Sequence, residues 1–220
     1  MQIPVAEARE GCDLLIERIR RHADDARVLW DAGRYPGAFL PVLLGFEELG
    51  KLLEYVQVAA TCEKAGLQVM EVTDFRNHGP RAAHSAKASL STEYFQRGLH
   101  LVAWAMRVVG LPEHVFGGYD DHLRAIGADF ARLRSTSMYV DYVDGTWTRG
   151  KPVDPETLES DIVALQVVAA LIEALLKQCK SFSEVVDLSV GMEHEIRQKL
   201  PEAIRAIVAG IAEQVQAWKR

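Results

Sequence analysis

The chain has 220 residues, of which 49% are hydrophobic and 25% are charged, and its formal net charge is −6. This composition is typical of a globular protein that buries a core, and the negative balance excludes a generally basic nucleic-acid surface while leaving room for a local basic patch. The three cysteines, Cys12, Cys62 and Cys179, are far apart and form no CxxC pair. We therefore expect reduced thiols in the core.

Neither a targeting segment nor a membrane span is predicted. The first residues, MQIPVAEAREGCD, lack the apolar stretch of a signal peptide. The longest apolar run, 162–176, is interrupted by Gln166 and Glu173, and it is shorter than the roughly 20 residues that a membrane helix needs. We expect a cytoplasmic protein that does not associate with membranes.

Helical periodicity dominates the chain, and glycine and proline punctuate it. The predicted helices are 4–31, 36–64, 80–109, 120–134, 155–179, 182–199 and 201–218. Residues 137–150 interrupt this pattern with alternating aromatic and β-branched residues around Asp144-Gly145, which predicts a short extended segment or hairpin. Because no linker-like stretch divides the chain, we expect one all-α domain over residues 1–220, a helical bundle with this short insertion.

The helix predicted over 36–64 begins as one of the most hydrophobic runs in the chain and then carries a polar ridge. The ridge residues share one sector about a third of the circumference wide: Glu47, Glu48, Lys51 and Tyr55. Leu40 and Leu44 continue the same sector towards the start of the helix. Such a face is typical of a helix that lines a pocket or meets another protein, because buried carboxylates are costly unless they are paired or used.

A concentration of basic residues follows in TDFRNHGPRAAHSAK, residues 73–87. Its members suit phosphate contact and proton transfer: Arg76, Asn77, His78, Arg81, His84 and Lys87. A structural alternative stays open, in which these residues solvate a loop or pair with Glu47 and Glu48 between helices. In the functional interpretation, the two carboxylates form the acidic half of a polar site, and Glu47, Glu48 and Lys51 are its binding residues.

A metal site is a further alternative, since Glu47, Glu48, His78 and His84 are suitable ligands. Helical bundles with di-metal sites carry a Glu-x-x-His repeat on two helices. That repeat is missing here, and the run Met192-Glu193-His194-Glu195 has the wrong spacing. We therefore expect neither a metal nor another cofactor.

Three blocks of the sequence resemble the AbiV-type abortive-infection proteins, which belong to the HEPN superfamily of all-α domains. The first is GRYPGAFLPVLLGFEELGK at 33–51, the second is DFRNHGPRAAHSAK at 74–87, and the third is RSTSMYVDY at 134–142. The blocks occur in the family's order and with fitting separations. The resemblance implies a helical bundle that forms a homodimer and acts in bacterial defence against phage.

The resemblance also raises the question of ribonuclease activity, since many HEPN proteins cleave RNA without a metal. Their motif is an Arg, a polar residue and a His a short distance further on. Arg76 and Asn77 match the opening pair, but Arg81 stands where the nearest His is expected, and His78 comes too early and His84 too late. Arg76 with His84, or His78 with Arg81, are the catalytic pairs that this arrangement leaves open.

Two functions are therefore carried forward. The first is an abortive-infection effector that arrests growth by acting on RNA or on the translation machinery. The second is a non-enzymatic regulatory or sensor module that binds a phage or host protein through the face bearing Leu40 and Leu44.

Overall fold

The computed structural model describes residues 1–72, 141–143, 146–148 and 154–194. It also describes positions 206 and 209, both of which are helical. We number the elements among these residues. The strands are β1 (Gln2–Pro4), β2 (Val69–Glu71), β3 (Asp141–Val143) and β4 (Thr146–Thr148), and the helices are α1 (Ala8–Asp31), α2 (Tyr35–Lys64), α3 (Pro155–Gln178) and α4 (Phe182–His194). The mostly helical fold predicted from the sequence is confirmed. The predicted helices 80–109 and 120–134 lie outside the described residues.

Helices α1 and α2 form an antiparallel hairpin. Gly33 ends α1 with a positive φ of 69°, a conformation that favours glycine. The amide of Arg34 then donates to the carbonyl oxygen of Leu29 at 2.8 Å, which closes the turn. The buried stripe of α1 follows the predicted spacing of threes and fours: Ala8, Cys12, Ile16, Ile19, Ala23 and Ala26.

Helix α3 is buried on most of its circumference and is closed at both ends by side chains. At its start, the carboxylate of Asp154 accepts a hydrogen bond from the amide of Thr157 at 2.9 Å. At its end, Arg9 of α1 donates to the carbonyl oxygens of Leu176 and, at 3.2 Å, Cys179. The guanidinium therefore satisfies carbonyls that have no partner within the helix.

A row of ion pairs, which we call the α1–α3 seam, joins α1 to α3. Arg27 lies 3.1 Å from Glu159, and Arg20 contacts Glu173, which also pairs with Lys177 at 2.8 Å. All five side chains keep a solvent-exposed fraction, between 24% and 72%. The seam is therefore a surface network between two helices whose buried faces are apolar except at Asp161 of α3.

The first residues correct one sequence prediction. The helix predicted over 4–31 begins only at Ala8, because β1 pairs with β2 in an antiparallel ladder and residues 5–7 form a 3-10 turn. In this ladder Ile3 faces Met70, which is fully buried, so the strand covers one end of the core. The predicted hairpin is confirmed by β3 and β4, in which Tyr142 pairs with Trp147.

One hydrophobic cluster is shared by α1, α2, β2, α3 and α4. All three cysteines are free and buried in it, as predicted. Burial raises the pKa of Cys12 to about 12, so its thiol stays protonated and unreactive. None of the helices in the described part of the chain combines the length and the apolar character that a membrane span requires.

Candidate functional site

The polar ridge of α2 lies largely inside the protein. Glu47 and Glu48 are 8% and 5% exposed, although they follow the buried, apolar first half of the helix. Lys51 and Tyr55, one and two turns further along, are half-buried. A carboxylate at this depth is strongly destabilising unless cations or donors compensate its charge.

Two cations meet at one oxygen of Glu48. The Oε1 atom lies 3.3 Å from Nη2 of Arg18 on α1 and accepts a hydrogen bond at 3.2 Å from Nζ of Lys51. The same Nζ lies 3.5 Å from Oε1 of Glu47. The other oxygen of Glu48, Oε2, is buried and has no hydrogen-bond partner in the described part of the structure. Native proteins rarely leave such an atom unsatisfied without a functional reason or a bound water.

The register of the α1–α2 hairpin explains why Arg18 reaches Glu48. Gly11 lies against Tyr55, and a Cβ atom at Gly11 would be 3.0 Å from Cε2 of that ring. Arg18 is seven residues beyond Gly11, and Glu48 is seven residues before Tyr55, so both contacts repeat after two helical turns along antiparallel helices. The close approach at glycine therefore sets the level at which the arginine and the carboxylate meet.

His22 lies one turn beyond Arg18 on the same face of α1, at the spacing at which helical side chains are neighbours. The side chain is half-buried. Burial lowers its pKa, and the charge of Glu48 opposes this effect in part. The imidazole is therefore neutral at pH 7, with one nitrogen able to donate and the other able to accept.

We call this group of five residues the Glu48 cluster: Arg18, His22, Glu47, Glu48 and Lys51. Its charges are layered, since the carboxylate side chains are 10% and 7% exposed, whereas Lys51 is 21% and Arg18 is 61% exposed. Cations therefore lie outside and anions inside. An incoming group meets the positive ends first, while the buried carboxylates hold those ends in place.

The sequence predicted one side of this cluster and missed the other. The Glu47, Glu48 and Lys51 side chains come together as the polar ridge required. Arg18 and His22 were not predicted, although their four-residue spacing beside the buried stripe of α1 is a signal that could have indicated them. The remaining predicted site residues lie outside the described residues: Arg76, Asn77, His78, Arg81, His84 and Lys87.

Two further predictions, the partner face and the absence of a metal, stay predictions. Leu40 and Leu44, the proposed partner face, are half-buried, so they border the core without being enclosed in it. Among the residues that the structure describes, no three His, Cys, Asp or Glu side chains are grouped as a metal site would require. The ligand set considered from the sequence also includes His78 and His84, which lie outside that part of the chain.

The described residues form a helical fold, and the Glu48 cluster gives it an internal polar site. Comparison with known families identifies the class of the protein as HEPN. A family model described as AbiV matches residues 7–169, a span that contains every residue of the Glu48 cluster. The chain therefore belongs to the AbiV family, and membership assigns it to abortive infection, a defence against phage. No curated protein and no solved structure shows significant similarity to it.

Proposed function

We propose that this chain is an abortive-infection effector that arrests growth by acting on RNA. The proposed site combines the Glu48 cluster with the basic residues of segment 73–87. The observation that supports it is the buried carboxylate of Glu48, which receives two cations on Oε1 and has no hydrogen-bond partner for Oε2 among the described residues. A purely structural ion pair at this depth adds little net stability, and an unsatisfied oxygen makes it less favourable still.

In this proposal the basic segment supplies the reacting groups and the carboxylates orient them. The 2′-hydroxyl oxygen of a nucleotide attacks the adjacent phosphorus, and the bond to the 5′ oxygen breaks. His78 or His84 takes the hydroxyl proton and passes it to the leaving 5′ oxygen, and Arg76 or Arg81 stabilises the charge on the phosphate. The products are a 2′,3′-cyclic phosphate and a free 5′-hydroxyl, and in this proposal the side chains alone move the proton and stabilise the charge.

The first experiment separates growth arrest from RNA cleavage. The chain is expressed from an inducible promoter in a bacterial host, and growth is followed with and without phage. The purified protein is then incubated with total RNA in EDTA beside a His78→Ala/His84→Ala variant. Cleavage by the parent protein alone supports the proposal, whereas equal cleavage by both, or none by either, rejects RNA cleavage as the activity.

A second candidate function is a protein-binding module, which the half-buried Leu40 and Leu44 favour. In this case Leu40→Ser/Leu44→Ser abolishes arrest while Arg76→Ala, His78→Ala and His84→Ala do not. Circular dichroism on each variant ensures that the comparison is made between folded proteins. The effector proposal expects the opposite pattern.

We also propose that the effector is a homodimer, as HEPN membership suggests. Light scattering coupled to size exclusion measures the mass in solution directly. A mass near twice the 24.5 kDa of the chain supports a dimer, and a monomeric mass at micromolar concentration rejects it.

A further inference from the structure

Arg18, in the outer layer of the Glu48 cluster, has guanidinium donors beyond the one that it uses. Among the described residues it forms one ion pair, from Nη2 to Glu48 at 3.3 Å, and 61% of its side chain is exposed. A guanidinium carries five N–H donors in a fixed plane. Most of the donors of Arg18 therefore face solvent, while the buried carboxylate restricts where the group can move.

Two basic side chains and an imidazole lie beside Arg18 at the surface, together with exposed carboxylates. Arg21 and His22 lie three and four positions further along α1 and are its neighbours on the helix surface. Lys51 borders the same place from α2. The nearest exposed carboxylates on α1 are Glu17, which pairs with Arg21 at 2.7 Å, and Asp25, which lies one turn beyond the neutral His22.

We propose that Arg18, His22 and Lys51 form a binding site for a backbone phosphate of RNA on the surface between α1 and α2. Arg18 donates to two phosphate oxygens, the imidazole of His22 donates to a third, and Lys51 adds a positive charge beneath them. Glu48 acts as the positioning residue, because it holds both cations through one oxygen. This inference rests on RNA as the proposed target, and it assigns a ligand to the part of that site that lies on α1.

The chain offers a matched control for the test. Arg21 is on the same helix, has a similar exposure of 68%, and among the described residues is paired with Glu17 of α1. Arg18→Gln and Arg21→Gln therefore remove the same charge from neighbouring positions. Only Arg18→Gln removes an arginine that is held by the Glu48 cluster.

The measurement is the fluorescence anisotropy of a labelled single-stranded oligoribonucleotide, titrated with the full chain at several salt concentrations and pH 7. Each phosphate contact to a single strand contributes about 0.7 to the slope of log K against log salt. We expect Arg18→Gln to lower the slope by about 0.7 and to weaken binding about fivefold in 0.1 M salt. Arg21→Gln is expected to change both quantities much less.

Three outcomes overturn the inference. Unchanged binding by Arg18→Gln, with RNA still bound by the parent protein, rejects the phosphate site and leaves the proposed function standing. Equal losses in both variants indicate general attraction to α1 and reject a built site. No RNA binding by the parent protein rejects the inference together with RNA as the target.

Arg18→Lys covers the case in which Arg18→Gln does not fold. It keeps the charge and the ion pair with Glu48 but loses the planar fork that matches a phosphate. We expect the salt slope to be retained and the affinity to fall. An affinity equal to that of the parent protein contradicts the two-oxygen contact assigned to Arg18.

Discussion

Helix α1 meets its two neighbours through ion pairs of different kinds. In the α1–α3 seam, Glu173 is partly exposed and has one cation for each oxygen, Arg20 at Oε2 and Lys177 at Oε1. In the Glu48 cluster the carboxylate is buried, and Arg18 and Lys51 share a single oxygen. Solvent-exposed ion pairs in which each carboxylate oxygen has a cation fix geometry at little energetic cost. A buried carboxylate with an unsatisfied oxygen is costly, so a reason other than stability explains its presence.

The sharpest way to test this contrast is to neutralise each carboxylate without changing its shape. We expect Glu48→Gln to reduce growth arrest by up to about a hundredfold, because a misplacement of the reacting groups by about 1 Å can cost that much. The free energy of unfolding of this variant should change by no more than about 1 kcal/mol, because Arg18 is exposed and Lys51 retains its ion pair with Glu47. Glu173→Gln is the matched control and should leave arrest unchanged. Loss of arrest in both variants would contradict the division of roles.

The next largest effect concerns the packing that supports the cluster. A Cβ atom at Gly45 would lie 2.7 Å from Cδ1 of Leu165, which is fully buried. We expect Gly45→Ala to lower the free energy of unfolding by about 1–2 kcal/mol, since overpacking outweighs the gain in helix propensity. Urea unfolding measures the change.

Gly37→Ala is the control for that substitution. Its Cβ atom would meet Leu29 at an ordinary 3.9 Å. The same exchange of glycine for alanine in α2 should therefore stabilise the protein, by up to about 1 kcal/mol. A destabilisation as large as that of Gly45→Ala would show that glycine is needed in this helix for another reason.

The α1–α3 seam should make the stability of the protein depend on pH in the acid range. Hydrogen bonds from Arg20, then from Lys177, lower the pKa of Glu173. A carboxyl group with a lower pKa in the folded state stabilises the protein above its unfolded pKa, and this contribution disappears as the pH falls through the folded value. Urea midpoints at pH 7 and pH 3 should therefore differ less in Glu173→Gln than in the parent protein. An equal pH effect in both proteins would mean that the seam contributes nothing measurable.

The smallest expected effect belongs to His22. Burial lowers its pKa in the folded state, so the unfolded chain takes up a proton first as the pH falls. The neutral imidazole therefore contributes stability above its unfolded pKa near 6.5, and the contribution is lost below that value. Unfolding free energies at pH 7.5 and pH 5 should differ less in His22→Gln than in the parent protein. A larger difference in the variant would place the shift in the opposite direction.

The features that the sequence predicted well are those encoded over short distances. The polar ridge of Glu47, Glu48 and Lys51 follows from helical periodicity, and the pairing of β3 with β4 follows from the alternating residues around the Asp-Gly pair in the sequence. The missed features depend on distant contacts. Strand β1 has only three residues and exists because it pairs with β2 some 65 positions later, which local propensity does not contain.

The other half of the site escaped prediction for a related reason. The level at which α1 meets α2 along the helix axes is set by the close contact of Gly11 with Tyr55. No pattern in the sequence identifies either residue as a point of contact between the helices. Without that register, Arg18 and His22 are two polar residues among many on a charged helix, and only their meeting with Glu48 distinguishes them.

The pairing of β1 with β2 also bears on the order in which the elements fold during synthesis. The two strands close the ends of the α1–α2 hairpin, and they join residues 2–4 to residues 69–71. The residues of the ladder and of the Glu48 cluster all lie within 1–72, before α3 in the chain. We expect the amide protons of Ile3 and Met70 to become protected from exchange together during synthesis, before α3 is available to cover the hairpin.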